Sequence, residues 1–119
     1  MRKNNLYDKS YAFAIRVVKG YQFLSKEKRE FIISKQLLRS GTSIGANVSE
    51  ANGAISKADF SSKISIAYKE ALETKYWLNL LHDTEFITTK SHKSMLNDAD
   101  ELCRILFSIL KSTRINSKQ

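Results

Sequence analysis

No proline occurs anywhere in this chain of 119 residues, and only four glycines do. Tight turns need fixed or left-handed backbone angles, so β-rich and loop-rich folds use both residues freely. A chain nearly without them, whose apolar residues recur every three or four positions, suits long helices on short connections. Hydrophobic residues make up 42% of it and charged residues 27%, a composition able to bury a core rather than stay disordered. The prediction is an all-α fold, an antiparallel up-down four-helix bundle, oligomeric. It forms a single domain over residues 1–119, with 1–7 and 114–119 expected to fray.

Periodicity and capping signals divide the chain. A first helix is predicted from Asp8 to Leu24, and Ser25 reads as the N-cap of a second from Lys26 to Gly53. Ser56 with Asp59 three residues on resembles a capping box opening a third helix, which ends near His82. Thr88 or Thr89 caps a fourth that runs to Thr113.

Helix three carries apolar residues on two sides. At 100° per residue Phe60, Ile64, Ala67, Ala71, Thr74, Leu78 and Leu81 share one stripe. Ile66, Trp77 and Leu80 lie roughly opposite. A single bundle core cannot cover both sides of one helix, and few loop residues are available to wrap the second. A subunit interface is the favoured cover. Helix one repeats the pattern, with Tyr11, Ile15 and Val18 on one side and Phe13, Val17 and Leu24 on another. The oligomer interface is accordingly assigned to Phe13, Val17, Ile66, Trp77 and Leu80. Helix four is one-sided, through Met95, Ala99, Leu102, Leu106 and Ile109.

Helix two divides into three stripes. Ile33, Leu37, Ile44, Val48, Ala51 and Ile55 form the apolar one, and Ser34, Gly41, Gly45 and Asn52 a groove of small residues. A glycine inside a helix costs about 1 kcal/mol relative to alanine, so close approach of another helix is expected there. Lys35, Gln36, Arg39, Ser40, Ser43, Asn47 and Glu50 complete a polar face. Arg39 with Glu50, Glu70 and Glu73 forms either a polar network between helices two and three or an ordinary solvated surface.

The charge is +8 and uneven: residues 1–39 hold ten basic and three acidic side chains, residues 40–88 four and six, residues 89–119 six and three. A basic surface attracts polyanions, although lysine-rich helix faces also serve solubility alone. The candidate nucleic-acid contacts are Arg2, Lys3, Lys9, Arg16, Lys19, Lys26, Lys28, Arg29 and Lys35, with Arg39 a further option. Tyr7, Tyr11 and Tyr21 interleave with these charges and either stack on bases or pack at the core.

Catalytic chemistry finds little support. Glu70 and Glu73 are three apart, but neither His82 nor His92 completes the Glu-x-x-His motif of di-iron bundles. Ser40 and Ser43 have no histidine near them in sequence, and Gly41 and Gly45 lack a phosphate-loop lysine. The chain reads as no enzyme, with no catalytic or metal residues and no cofactor. The lone Cys103, flanked by Leu102, Ile105 and Leu106, reads as a buried small hydrophobe in a reducing compartment. No signal peptide or membrane span is recognised, so the cytoplasm and no membrane partner are expected.

Residues 36–51, Gln-Leu-Leu-Arg-Ser-Gly-Thr-Ser-Ile-Gly-Ala-Asn-Val-Ser-Glu-Ala, resemble the signature of a bacterial four-helix-bundle family. That family is encoded in intervening sequences of 23S ribosomal RNA genes and is related to the accessory variability determinant of diversity-generating retroelements. Ser56 to Phe60 and Ile64 to Glu73 resemble it as well, and the likeness spans nearly the whole chain. It implies a cytoplasmic four-helix bundle, often a ring-shaped homopentamer. By the accessory determinant's example it implies binding of nucleic acid and of a reverse transcriptase through a basic surface. Arg39, Ser43, Asn47 and Glu50 match the signature positions. Glu50-Ala51-Asn52 stands where many members have glutamate followed by glycine, so helix two is expected to continue further here. The expected function is therefore a homo-oligomeric, pentameric, non-enzymatic scaffold that binds RNA or DNA. The alternative is an adaptor that docks an acidic partner protein such as a reverse transcriptase.

Overall fold

Helical periodicity and the near-absence of turn residues yield four helices in the computed structural model, which describes residues 5–117. They are α1 (Asn5–Lys26), α2 (Ile33–Asn52), α3 (Lys57–Asp83) and α4 (Thr89–Ser117). Each packs on its neighbours in sequence, and α1 meets α4 more lightly to close the ring. Contacts that rise along one helix fall along the next. Arg39 faces Glu70 and Glu73 while Glu50 faces Lys63, so α2 and α3 are antiparallel. Lys9 with Glu101 and Arg16 with Asp98 give α1 and α4 the same relation. The up-down bundle measures 51 × 25 × 23 Å.

The α3 stripe is fully buried from Ile64 to Leu81, and Leu37, Ile44, Val48 and Ala51 bury the apolar face of α2. Ala99, Leu102 and Leu106 complete the core from α4. Cys103 lies among them, and burial pushes its thiol pKa up. The small-residue groove receives α1. A Cβ on Gly41 would stand 2.7 Å from Cγ2 of Val17, and one on Gly45 would stand 3.3 Å from the Ser10 hydroxyl.

That docking corrects two interface assignments. Phe13 and Val17 are 2% and 0% exposed, in the core of a single chain, with no surface left to offer a partner. The exposed face of α1 is the other one, with Tyr11, Ile15 and Val18 at 57%, 45% and 38%. The two stripes are equally apolar; the difference is steric. Only the face bearing the small Ser10 can approach Gly45 closely. Ile55 is a second correction, because it lies beyond the end of α2 and is 94% exposed. Ser40, read as part of the polar face, is fully buried 3.0 Å from the Thr74 hydroxyl.

Helix boundaries differ from expectation where a side chain intervenes. Ser25 does not cap α2; its hydroxyl donates to the Tyr21 carbonyl within α1 at 2.8 Å. The helix starts instead at Ile33, after a turn in which Arg29 takes φ 56°. It ends at Asn52, two residues past Glu50. The Ser56 hydroxyl accepts from the Asp59 N–H at 3.0 Å, so the α3 capping signal holds, and Thr88 accepts from the Ser91 N–H at 3.1 Å. At the chain ends α1 begins at Asn5 and α4 continues to Ser117, beyond the limits expected for both.

Candidate nucleic-acid interface

Topology brings the end of α1, the start of α2, the end of α3 and the start of α4 to one end of the bundle. The turn there is built by Glu30. Its carboxylate accepts from the backbone N–H groups of Ile32, Ile33 and Ser34 at 3.2, 3.0 and 2.7 Å, and the Ser34 hydroxyl donates to its carbonyl at 2.7 Å. The acid thus occupies the start of α2, where helix N–H groups lack partners and a negative charge is favoured. Burial works to raise the Glu30 pKa, but the backbone donors from Ile33, Ser34 and Ile32 outweigh it and hold the carboxyl below its ordinary value.

With Glu30 turned inward, the residues around it face out. Lys26, Lys28, Arg29 and Lys35 are exposed, as is Lys19 one turn and more back along α1. Among the described residues none of these five enters an ion pair. Phe23 and Phe31 stand among them at 47% and 44% exposed. The Lys28 ammonium lies 6.0 Å from the Phe23 ring centre and the Arg29 guanidinium 5.5 Å from that of Phe31. Lys90 and Lys93 extend the same surface from the start of α4. They were not nominated from the sequence, yet an antiparallel bundle necessarily sets the start of helix four beside the end of helix one. Glu27, Asp83 and Glu85 share this end and leave the balance positive.

The other nominated cations lie elsewhere. Arg2 and Lys3 lie outside the described residues. Lys9 and Arg16 are neutralised on the α1–α4 seam, by Glu101 at 2.8 Å and Asp98 at 2.5 Å. Of the tyrosines, Tyr7 and Tyr11 stack on each other at 6.0 Å, and Tyr21 is half-buried. The rings that accompany the unpaired cations are Phe23 and Phe31, which no spacing in the sequence sets apart from core phenylalanines.

The signature residues of α2 form part of a structural seam. Arg39 pairs with Glu73 and, at 3.5 Å, with Glu70, while the Trp77 indole donates to Glu73 at 3.0 Å. Ser43 and Asn47 hydrogen-bond back along their own helix, to the carbonyls of Arg39 and Ser43. Glu50 stands apart from that network and pairs with Lys63 at 3.0 Å. The arrangement fixes α2 against α3. Among the described residues no group of three or more His, Cys, Asp and Glu could hold a metal ion. No helix among them is long and apolar enough to cross a membrane.

Fold and surface together define an all-α bundle with one cationic, aromatic end and apolar residues exposed on α1, on α3 and, at Phe107, on α4. The model of the 23S rRNA-intervening sequence protein family matches residues 2–108, and the chain belongs to that family. The chain is also similar to a crystal structure from Bacteroides thetaiotaomicron VPI-5482, described as a protein with unknown function from the S23 ribosomal protein family. The two share 55% identity and a TM-score of 0.88, over 89% of this chain and 98% of the other. No curated protein matches it.

Proposed function

We propose that this chain is a homo-oligomeric, non-enzymatic scaffold that binds RNA or DNA electrostatically through the basic end of its bundle. The observation that carries the reading is the set of unpaired cations, Lys19, Lys26, Lys28, Arg29 and Lys35, gathered around exposed Phe23 and Phe31. Phosphates need only reach and positive charge, and unstacked bases find aromatic faces beside them. Repetition of the patch around an oligomer would multiply weak contacts by avidity.

Association is supported by the exposed apolar side chains. Tyr11, Ile15 and Val18 face out from α1, and Ile66, Leu72 and Tyr76 from α3, with Trp77 and Leu80 half-buried beside them. Helices α1 and α3 occupy opposite corners of the bundle. A two-fold contact through either face would leave the other bare. Head-to-tail contact of α1 on α3 covers both and closes into a ring when the rotation permits. A pentamer is the ring size that the family likeness suggests.

The test is binding of labelled RNA and DNA oligonucleotides at rising salt. Affinity should fall steeply, because each phosphate contact releases a counterion. The charge reversals Lys28→Glu and Lys35→Glu together should weaken binding by about tenfold or more at low salt. Salt-insensitive binding, or none at low salt to any oligonucleotide, refutes the proposal. Ile32, 78% exposed in the α1–α2 turn, favours, as second reading, an acidic partner protein. A partner that stays bound after nuclease treatment would support it.

A further inference from the structure

The four helices do not fill the space between them at the basic end. A cleft of about 1020 Å³ opens there, ample for a nucleotide-sized ligand. Its floor is apolar, from the half-buried Phe86, Ile87 and Met95 lying over the fully buried Leu24, Leu78 and Leu81. The α1 side of its rim carries Phe23 with the unpaired Lys19 and Lys28. Asp83 and Glu85 line the α3–α4 side, so negative charge is favoured on one flank only.

We infer that this cleft receives one unpaired nucleotide, its flat heterocycle on the apolar floor and its phosphate at Lys19 and Lys28. The inference deepens the nucleic-acid reading above and rests on it. A phosphate alone has no use for an apolar floor, and an apolar ligand has no use for two lysines beside an aromatic ring. A nucleotide has both halves in the required order. The carboxylates opposite suit the N–H groups on a base edge and repel a second phosphate. In a duplex those edges are paired and the faces stacked, so the cleft selects single strands. The nucleotide belongs either to a strand or to a free mononucleotide, and the two are separable by experiment.

The test uses the full chain at low salt, with a labelled single strand of about 12 nucleotides, its duplex, and heparin as a polyanion without bases. The single strand should bind about tenfold or more tightly than the duplex. Ser91→Trp, at an exposed position lining the cleft, should obstruct it without altering charge. Phe23→Ala removes the stacking face from a half-exposed site. Each should weaken the single strand by about fivefold or more and leave heparin binding within about twofold. Competition by adenosine monophosphate would support the cleft and identify a free nucleotide as ligand; single-strand preference without such competition supports it with a strand as ligand. Equal binding of single strand and duplex, or unchanged binding by both variants while heparin still binds, overturns the cleft and leaves the electrostatic reading standing. Failure to bind any of the three polyanions overturns both.

Discussion

Glu30 shows how much one side chain decides at the residue scale. Three backbone N–H groups converge on its carboxylate, and without it they would lack a side-chain acceptor at the start of α2. Glu30→Ala is expected to cost about 1–2 kcal/mol, in the range of a lost N-cap, in denaturant unfolding monitored by circular dichroism. The pH dependence follows from the lowered pKa. A carboxyl that is more acidic in the folded chain contributes stability above its ordinary value of 4.5, and that contribution disappears as pH falls through the folded value. The wild type should lose this stabilisation below about pH 4.5 and Glu30→Ala should not, so the two stability curves should converge in acid.

At the scale of helices, the α1–α2 contact depends on missing side chains. Gly41→Ala adds a methyl 2.7 Å from a methyl of the stiff, fully buried Val17. Helix propensity alone would favour the alanine by about 1 kcal/mol. Overpacking should win, with a net loss of about 1–2 kcal/mol. Val17→Ala should then cost less in the Gly41→Ala background than in the wild type, a coupling that a double-mutant cycle measures. A stabilised Gly41→Ala would contradict the close packing.

The α3–α4 hairpin offers a second test at this scale. His82 and His92 stack with ring centres 4.3 Å apart, and His92 meets the Asn79 side-chain oxygen at 2.8 Å. Burial, and then the neighbouring His82, lower the His92 pKa below 6.5, against a smaller opposing pull from Asp83. The unfolded chain therefore takes up the proton first. Stability should be full above about pH 6.5 and decline as pH falls from there toward the folded value. In His92→Gln, which keeps a donor for Asn79, the slope between about pH 7 and 5 should flatten in urea titrations.

For the molecule as a whole, the exposed faces of α1 and α3 must find cover or remain in water. Light scattering at micromolar concentration should give a multiple of the 13.6 kDa chain mass. Ile15→Glu and Tyr76→Glu lie on opposite flanks, at positions 45% and 59% exposed in one chain. Either should reduce the assembly to monomers while the helical circular dichroism is kept. Their effect on nucleic-acid binding should be a loss of avidity, with each bundle still binding weakly. A wild-type monomer refutes the ring.

Sequence alone determined the number of helices, most of the buried stripes of α2, α3 and α4, the cap at Ser56, a cap at Thr88 or Thr89, and the family signature. Each of these is local: periodicity, capping geometry and a missing turn residue are properties of a few consecutive positions. Tertiary structure decided what depends on two elements at once. Phe13 and Val17 are core and not interface because Gly41 and Gly45 select the slimmer face of α1. The α1–α2 turn is local, yet it depends on Glu30 reaching forward to its own following backbone, a choice that its helix-favouring type does not announce. The basic end formed only when antiparallel packing brought Lys19, Lys28, Arg29, Lys35, Lys90 and Lys93 together and spent Lys9 and Arg16 on the α4 seam. A helix's period identifies its faces, and only its neighbours decide which of them meets water.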